Sequence, residues 1–517
     1  MKATQDLPFP HRVPDRFITT ALVVVTIVSR LPFQAGLLDG ADAVNYALAL
    51  DHFDMRLHQP QPPGYPLYIL LGRLFLAVLG DHRAALVWLS TVSSALGVLA
   101  VYFAGCALFD RRVGIMAAGL LIFSTSYWYL GEVAAPYTAD LAFSALVGWL
   151  CYRSACQRAT WMPWITAIAL GLAGTFRLQT FSFLIPLMLY SLWRYPFWVR
   201  VTTLLLAGLV LGTFFVPAVM ASGGPRTFWQ LMTGVVPIIG STSRAVRSIR
   251  WTRFLYNIIT IARYTLAGLG EVACLLVPTG LATACRQSPK GHISRLAFLL
   301  IWLLPTWLTY LLIWPGNLGT IMVCLPPLCL LAALGLVRLM ALSRQCSKAG
   351  WALLALVLIL NTIIFTCLPE YPFGREYRRF TNYASLRERM GEYQDRLTLV
   401  QSVPVEDTLV YTSERYPQFY LPEYRIEHIP LLPKSQESLA NTIASANQDL
   451  VAAVPSSIER LVLFDLTPEI VNLDAQKAVA LIRNEHRVYV VAIPKGHRAI
   501  WTTRGLSISA HAQESGN

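Results

Sequence analysis

"LLDGADAVNYALALDHFDMRLHQPQPPGYPLY", residues 37–68, directly follows an apolar run long enough to enter a bilayer. It holds four aspartates, two histidines, one arginine and four prolines. Within it, "ADAVNYALALDHF" has helical character, with Ala43, Tyr46, Ala47 and Leu50 on one face. Asp42 stands at the start of that helix, where an aspartate commonly serves as N-cap. A carboxylate beside lipid headgroups also stays ionised at modest cost, which suits a general base for a hydroxyl. Both readings are open from spacing alone. In "HQPQPPGYPLY" the prolines pre-set φ and Gly64 relieves the turn, so the segment reads as a rigid hinge leading back to the membrane. His58 by itself reads as a loop histidine.

The rest of the chain supplies the membrane. Of 517 residues 55% are hydrophobic and 14% charged, and the mean hydropathy is +0.50. Soluble domains carry about a quarter charged residues, so the composition excludes an ordinary soluble enzyme. Apolar windows near 17–37, 84–109, 113–131, 138–152, 161–176, 179–193, 201–220, 256–279, 296–314, 319–337 and 351–367 predict about eleven transmembrane helices. After Cys367 the composition turns polar, so residues 1–367 read as a mostly α polytopic domain and residues 368–517 as a soluble α/β domain. The net charge of +13 is explained by basic loops at the inner leaflet. No nucleic-acid-binding or zinc-ligand spacing accompanies it. The nine cysteines lie within or beside apolar runs, and no disulfide framework is visible.

Loop charge orients the chain. With "YPLYILLGRLFLAVLG", residues 65–80, lying along the membrane, Arg111, Arg112, Arg153, Arg158, Arg194 and Arg200 share one side with the N-terminus. The positive-inside rule then places the N-terminus inside, and the 38–83 loop and the C-terminal domain outside. The N-terminal run reads as a retained signal anchor. The loop near Arg226–Arg253 breaks the charge pattern.

Residues 39–68, together with "GEVAAPYTAD" and "GLAGTFRLQTFSFLIPL", resemble the GT-C fold polytopic glycosyltransferases. The similar branch is the bacterial one related to protein O-mannosyltransferases and aminoarabinose lipid A transferases. Its members carry an acidic residue four ahead of a Tyr in the first external loop, here Asp42 before Tyr46, and then a "PPGYPLY"-like segment. The chain departs from an Asp-Glu pair at that point and offers Asp39 and Asp42, three apart. The resemblance implies transfer of a sugar from a polyprenyl-phosphate carrier to a glycan, lipid or protein acceptor at the outer face of the bacterial cytoplasmic membrane. It implies Asp42 or Asp39 as base, with Tyr46, His58, Gly64 and Tyr65 of the same loop contacting donor or acceptor. A divalent cation, Mg²⁺ or Mn²⁺, could be held by Asp39 and Asp42.

A phosphate leaving group calls for cations near the same face. Arg177 lies in the outer turn "TFRLQT", where a snorkelling arginine is the plain alternative. Glu132, Tyr137 and Asp140 lie in or beside "GEVAAPYTAD" at another outer turn; each acid could equally cap a helix or pair with Arg177. Arg244, Arg247, Arg250 and Arg253 recur every third residue and read as an interfacial amphipathic helix. A general grip on anionic lipid is the preferred reading there, and binding of the carrier phosphate by Arg244 and Arg247 the sharper one.

In the C-terminal region "DTLVYTS", "YRIEHIP", "RLVLFD" and "HRVYVVAIP" read as strands, "YRRFTNYASLRERMGEYQDRL" and "LDAQKAVALIRNE" as helices, and "SISAHAQESGN" as a disordered end. No P-loop or glycine fingerprint is present. The competing class is a transporter or flippase of lipid-linked glycans, whose polar residues would line a path through the bilayer. The clustering of acids at one face favours the enzyme.

Overall fold

The chain is seen in a computed structural model that describes residues 14–157, 159–243, 251–286, 294–313, 315–368, 382–428, 452–455, 457–468, 473, 478–494, 497–502 and 505–510. The chain divides into two compact units, Met1–Arg387 and Glu388–Asn517.

In the first unit the apolar runs become helices whose starts are capped as their sequences ask. Helix α1 is Asp15–Arg30, α2 Ala41–Asp51, α3 Pro66–Leu79 and α4 His82–Leu108. Asp81 caps α4 through the Ala84 N–H at 2.7 Å. Then come α5 (Arg111–Ile122), α6 (Thr125–Leu130), α7 (Tyr137–Gln157), α8 (Met162–Phe176) and α9 (Leu178–Ser191). Asp110 caps α5 and Ser124 caps α6. Next are α10 (Phe197–Ala221), α11 (Gly224–Ser243), α12 (Trp251–Leu269), α13 (Glu271–Cys274) and α14 (Val277–Arg286). Helices α15 (Arg295–Leu312), α16 (Leu325–Met340) and α17 (Arg344–Cys367) complete the bundle.

Each expected span meets a helix, but the helices differ in kind. Among the described residues five are long and apolar enough to cross a bilayer alone, six if one bent pair is a single span. The pair Phe254–Leu269 and Glu271–Arg286 is bent by 107°, at Gly270, whose φ of +86° sets the break. The run expected over 113–131 breaks at Phe123–Ser124 into α5 and α6, because Ser124 caps a new helix. The region expected as a loop near Arg226–Arg253 is helical over Gly224–Ser243 and again from Trp251. Arg244, Arg247 and Arg250 lie outside the described residues. Helix α3 is 14 residues long, about 21 Å, too short by itself for a core of about 30 Å. It buries Leu67, Tyr68, Ile69 and Gly72 and leaves Leu74 and Val78 exposed.

The centre of this unit is α4 against α7. Trp302 of α15 lies over Gly148 of α7 and donates its indole N–H to Ser144 Oγ at 2.9 Å. Small residues at such crossings let helices approach where lipid gives no hydrophobic drive between them. Leu205, Leu209 and Met220 of α10 remain exposed, as lipid-facing side chains would.

In the second unit strands β1 (Thr408–Thr412), β2 (Arg425–His428), β3 (Ala452–Ala453), β4 (Arg460–Leu463), β5 (Ala478–Arg483), β6 (His486–Ala492), β7 (His497–Thr502) and β8 (Gly505–Ala510) make two sheets. The five-stranded one has the order β2-β1-β4-β6-β5, with β2, β1 and β4 parallel and β6 and β5 antiparallel. Leu409, Leu461, Leu463 and Val491 form its core. Helix α18, Tyr383–Gln401, carries the boundary between the units, and α19, Tyr416–Tyr420, follows β1.

Two expectations fail in this unit. "AVALIR" of the expected helix is strand β5, because Asn484 and Glu485 both adopt positive φ and fold the chain straight back onto β6. Pairing with β6 thereby overrides a local composition that favours helix. "SISA" of the expected disordered end belongs to β8, paired with β7; residues 511–517 lie outside the described ones.

Candidate active site

Gly40 starts α2 with φ of +90°, a conformation that glycine adopts without penalty. The N-cap position is therefore Gly40, and no side chain caps the helix. Asp42 sits inside the first turn and does not serve as the cap. Among the described residues nothing hydrogen-bonds its carboxylate. Asp42 is exposed, yet burial by the protein packed around it raises its carboxyl above the ordinary value. Asp39, the other candidate, accepts a hydrogen bond from the Tyr129 hydroxyl.

The proline segment behind α2 supplies tyrosines. Asp54 pairs backbone to backbone with Gln59, with Asp54 N–H donating to the Gln59 carbonyl at 2.6 Å. His58 lies exposed at the tip of that turn with φ of +55°. Asp54 is spent on Arg56, whose Nη2 stands 2.7 Å away. Gly64, with φ of +111°, seats the Met55 sulfur, which would stand 2.8 Å from a Cβ there. Tyr65 then starts α3, and its ring packs edge-on against Tyr46 at 5.3 Å. Tyr68 also packs edge-on against Tyr46, at 5.1 Å. Gln61 donates to the Tyr46 hydroxyl at 2.8 Å. Burial raises both the Tyr46 and Tyr65 phenols, so they are neutral donors at neutral pH.

The far wall comes from α7, α8 and α9. Arg177 joins α8 to α9, is 6% exposed, and donates from Nη1 to Asp140 Oδ2 at 2.9 Å. Asp140 is fully buried and also accepts from the Thr180 hydroxyl. The guanidinium lies 5.1 Å from the Tyr137 ring centroid. Its Nε has no partner among the described residues. Tyr137 accepts from Asn317 Nδ2 at 2.5 Å, and its ring occupies the space that a side chain at Gly319 would need. The charge of Asp42 acts on Tyr46, Tyr65 and Tyr137, and that of Arg177 on Tyr65, Tyr137 and Tyr310. Asp42, Tyr46, Tyr65, Tyr137, Asp140 and Arg177 thus form one cluster.

Glu132 does not join them. It is fully buried, neither carboxyl oxygen has a hydrogen-bond partner among the described residues, and the cation acting on it is Arg30. The expected pairing with Arg177 falls to Asp140 alone. Arg177 does not snorkel, being enclosed and paired. Arg244 and Arg247 lie outside the described residues. Among the described residues no group of three or more His, Cys, Asp or Glu could hold a metal ion. Sequence reasoning missed Gln61, Tyr68, Thr180, Tyr310 and Asn317. For Tyr310 and Asn317 no local pattern could have pointed here, since they arrive from α15 and the segment after it.

The arrangement of helices around this cluster matches known folds. ArnT from Cupriavidus metallidurans bound to undecaprenyl phosphate superimposes with a TM-score of 0.59 at 14% identity, over 92% of this chain and 97% of that one. Its apo state gives 0.56 over the same shares. The chain has the GT-C fold. The Archaeoglobus fulgidus oligosaccharyltransferase tethered with an acceptor peptide gives a TM-score of 0.50 at 13% identity, over 86% of this chain and 68% of that one. The family model for dolichyl-phosphate-mannose-protein mannosyltransferase matches residues 59–220. That interval of the GT-C fold holds the proline segment, Tyr137, Asp140 and Arg177. No curated protein matches the chain.

Proposed function

We propose that the chain is a membrane glycosyltransferase that moves a sugar from a polyprenyl-phosphate carrier to an acceptor hydroxyl. The observation that carries the reading is an Asp42 carboxylate with no hydrogen bond among the described residues, in one cluster with a buried arginine and three tyrosines. The acceptor oxygen attacks the anomeric carbon and gives its proton to Asp42. The bond from that carbon to the phosphate oxygen breaks, and its electrons leave with the phosphate. Arg177, oriented by Asp140, supplies positive charge toward that phosphate, and the Tyr46, Tyr65 and Tyr137 hydroxyls are the neutral donors around it. Asp39, tied to Tyr129, positions the start of α2. His58 and Gly64 shape the loop. Residues 1–367 act as the catalytic membrane domain and residues 368–517 as an outer α/β domain. The loop 38–83 and the second domain then face outward, with the N-terminus inside the bacterial cytoplasmic membrane.

Membranes holding the protein, given labelled polyprenyl-phosphate sugars, should pass label covalently to lipid, glycan or protein. Asp42→Asn should fold and insert while transfer falls by roughly 10²–10⁴-fold, the range a general base supplies. Asp39→Asn should retain most of it. Label that crosses the membrane still on its carrier would instead make the protein a flippase. Normal transfer by Asp42→Asn would remove the base. Accessibility tags near Asp54 and after Gly505 should report outside and a tag near Arg112 inside; the reverse would overturn the orientation.

A further inference from the structure

Helix α7 has 21 residues, so its two ends stand about 30 Å apart. Tyr137 and Asp140 occupy the first end. At the other end α4 and α7 leave a groove of about 340 Å³, lined by Phe103, Cys106 and Ala107 from α4 and by Trp149, Arg153 and Gln157 among others from α7. Phe103, Cys106, Ala107 and Trp149 are half-buried and Gln157 is exposed, so the groove reaches the protein surface. Phe103 and Trp149 stack at 5.3 Å with 25° between planes, making an apolar wall. Arg153 lies 5.4 Å from the Trp149 ring. Its Nε and Nη2 both reach Gln157 Oε1, at 3.2 and 3.0 Å, and no carboxylate pairs with it among the described residues. The acids of the same end are occupied, since Asp15 takes Arg111 and Tyr102, and Asp110 caps α5. An uncompensated arginine therefore sits at the rim of an apolar groove, with donor capacity left over from Gln157.

We infer that this groove binds an anionic phospholipid, with the lipid phosphate on Arg153 and an acyl chain along Phe103, Trp149 and Ala107. Charge complementarity selects an anionic headgroup over a zwitterionic one, because no acid at the rim offsets Arg153. The site lies at the opposite end of α7 from Asp42 and Arg177, so it is separate from the sugar-transfer cluster.

The test is native mass spectrometry of the purified protein in neutral detergent, titrated with phosphatidylglycerol and with phosphatidylcholine. The wild type should prefer phosphatidylglycerol by about fivefold, the effect of one basic residue near a headgroup. Arg153→Ala should lose that preference. Ala107→Phe, which fills the groove and leaves the charge, should weaken binding of both lipids. Arg338→Ala, which removes a cation that does not line the groove, should change neither. Equal loss in Arg338→Ala and Arg153→Ala would reduce the effect to general surface charge and overturn the site. So would an unchanged preference in Arg153→Ala. Should Arg153→Ala fail to fold, wild-type binding by Ala107→Phe would overturn it equally. Displacement of the lipid by glycerol 3-phosphate alone would refute the acyl-chain half of the claim.

Discussion

Two buried arginine–carboxylate regions flank the turn between α6 and α7, and they solve the same problem differently. Asp140 and Arg177 meet at 2.9 Å, and Thr180 satisfies the second carboxyl oxygen. Glu132 and Arg30 are just as buried, yet Arg30 donates to the Ile122 carbonyl at 2.8 Å and to Ser29. Both Glu132 oxygens are left without partners among the described residues. Desolvation raises the Glu132 carboxyl well above the ordinary value, against the pull of Arg30. Desolvation favours the neutral form of a carboxyl that lacks hydrogen-bond partners, while a close, hydrogen-bonded ion pair favours the charged one. Only the closed pair shares tyrosines with Asp42.

The sharpest way to break that contrast is Asp140→Asn. It strands the Arg177 charge in a dry site and should destabilise the protein by about 3–5 kcal/mol, the cost of breaking a buried pair. Thermal unfolding in detergent measures it, and transfer activity should fall in parallel. Stability within 1 kcal/mol of wild type, on the scale of an exposed pair, would show that water reaches Arg177.

A smaller effect should appear in the pH profile. Asp42 must be deprotonated to accept a proton, and burial raises its carboxyl. As pH falls through that raised value, kcat/KM should decline, with the limb above the ordinary carboxylate range near about 4. Glu132→Gln should leave the limb in place. A limb that shifts in Glu132→Gln and not in Asp42→Asn would assign it to the other region.

The smallest effect belongs to Glu132→Gln itself. Where desolvation keeps the Glu132 carboxyl neutral, an amide of nearly the same shape replaces it, so stability should fall by less than about 1 kcal/mol, the centre of the range for single substitutions. A loss comparable to Asp140→Asn would mean that Glu132 is ionised and closely paired with Arg30.

Much of the fold was legible in the chain itself. Hydropathy located the helices, since each apolar window had to hide its backbone polar groups in intrahelical bonds. Charge and strand alternation predict a second domain from residue 368, whereas the chain divides later, between Arg387 and Glu388, with Tyr383 at the start of α18 still packed against Phe33 and Phe365. Helix breaks were less visible, because Ser124 and Gly270 act through a capping bond and a backbone angle rather than through hydropathy. Strand β5 escaped for a related reason, its helix-like composition yielding to a partner strand across a two-residue turn.

For the candidate site, the sequence singled out Asp39 and Asp42, Tyr46 and Tyr65, Tyr137 and Asp140, and Arg177, together with His58, Gly64, Glu132, Arg244 and Arg247. The resemblance to GT-C enzymes and the charged residues at the outer turns pointed to them; a short loop keeps its own residues close, but its order does not say which turns meet. What only the tertiary structure decided was which of them touch. Gly40 takes the capping position and Tyr129 donates to Asp39, and no hydrogen bond to Asp42 is found among the described residues. Asp140 rather than Glu132 takes Arg177, and Tyr310 and Asn317 close the wall from more than a hundred residues away. Hydrogen bonds and desolvation are set by which side chains meet in space, and one-dimensional order carries no record of those meetings across separate helices.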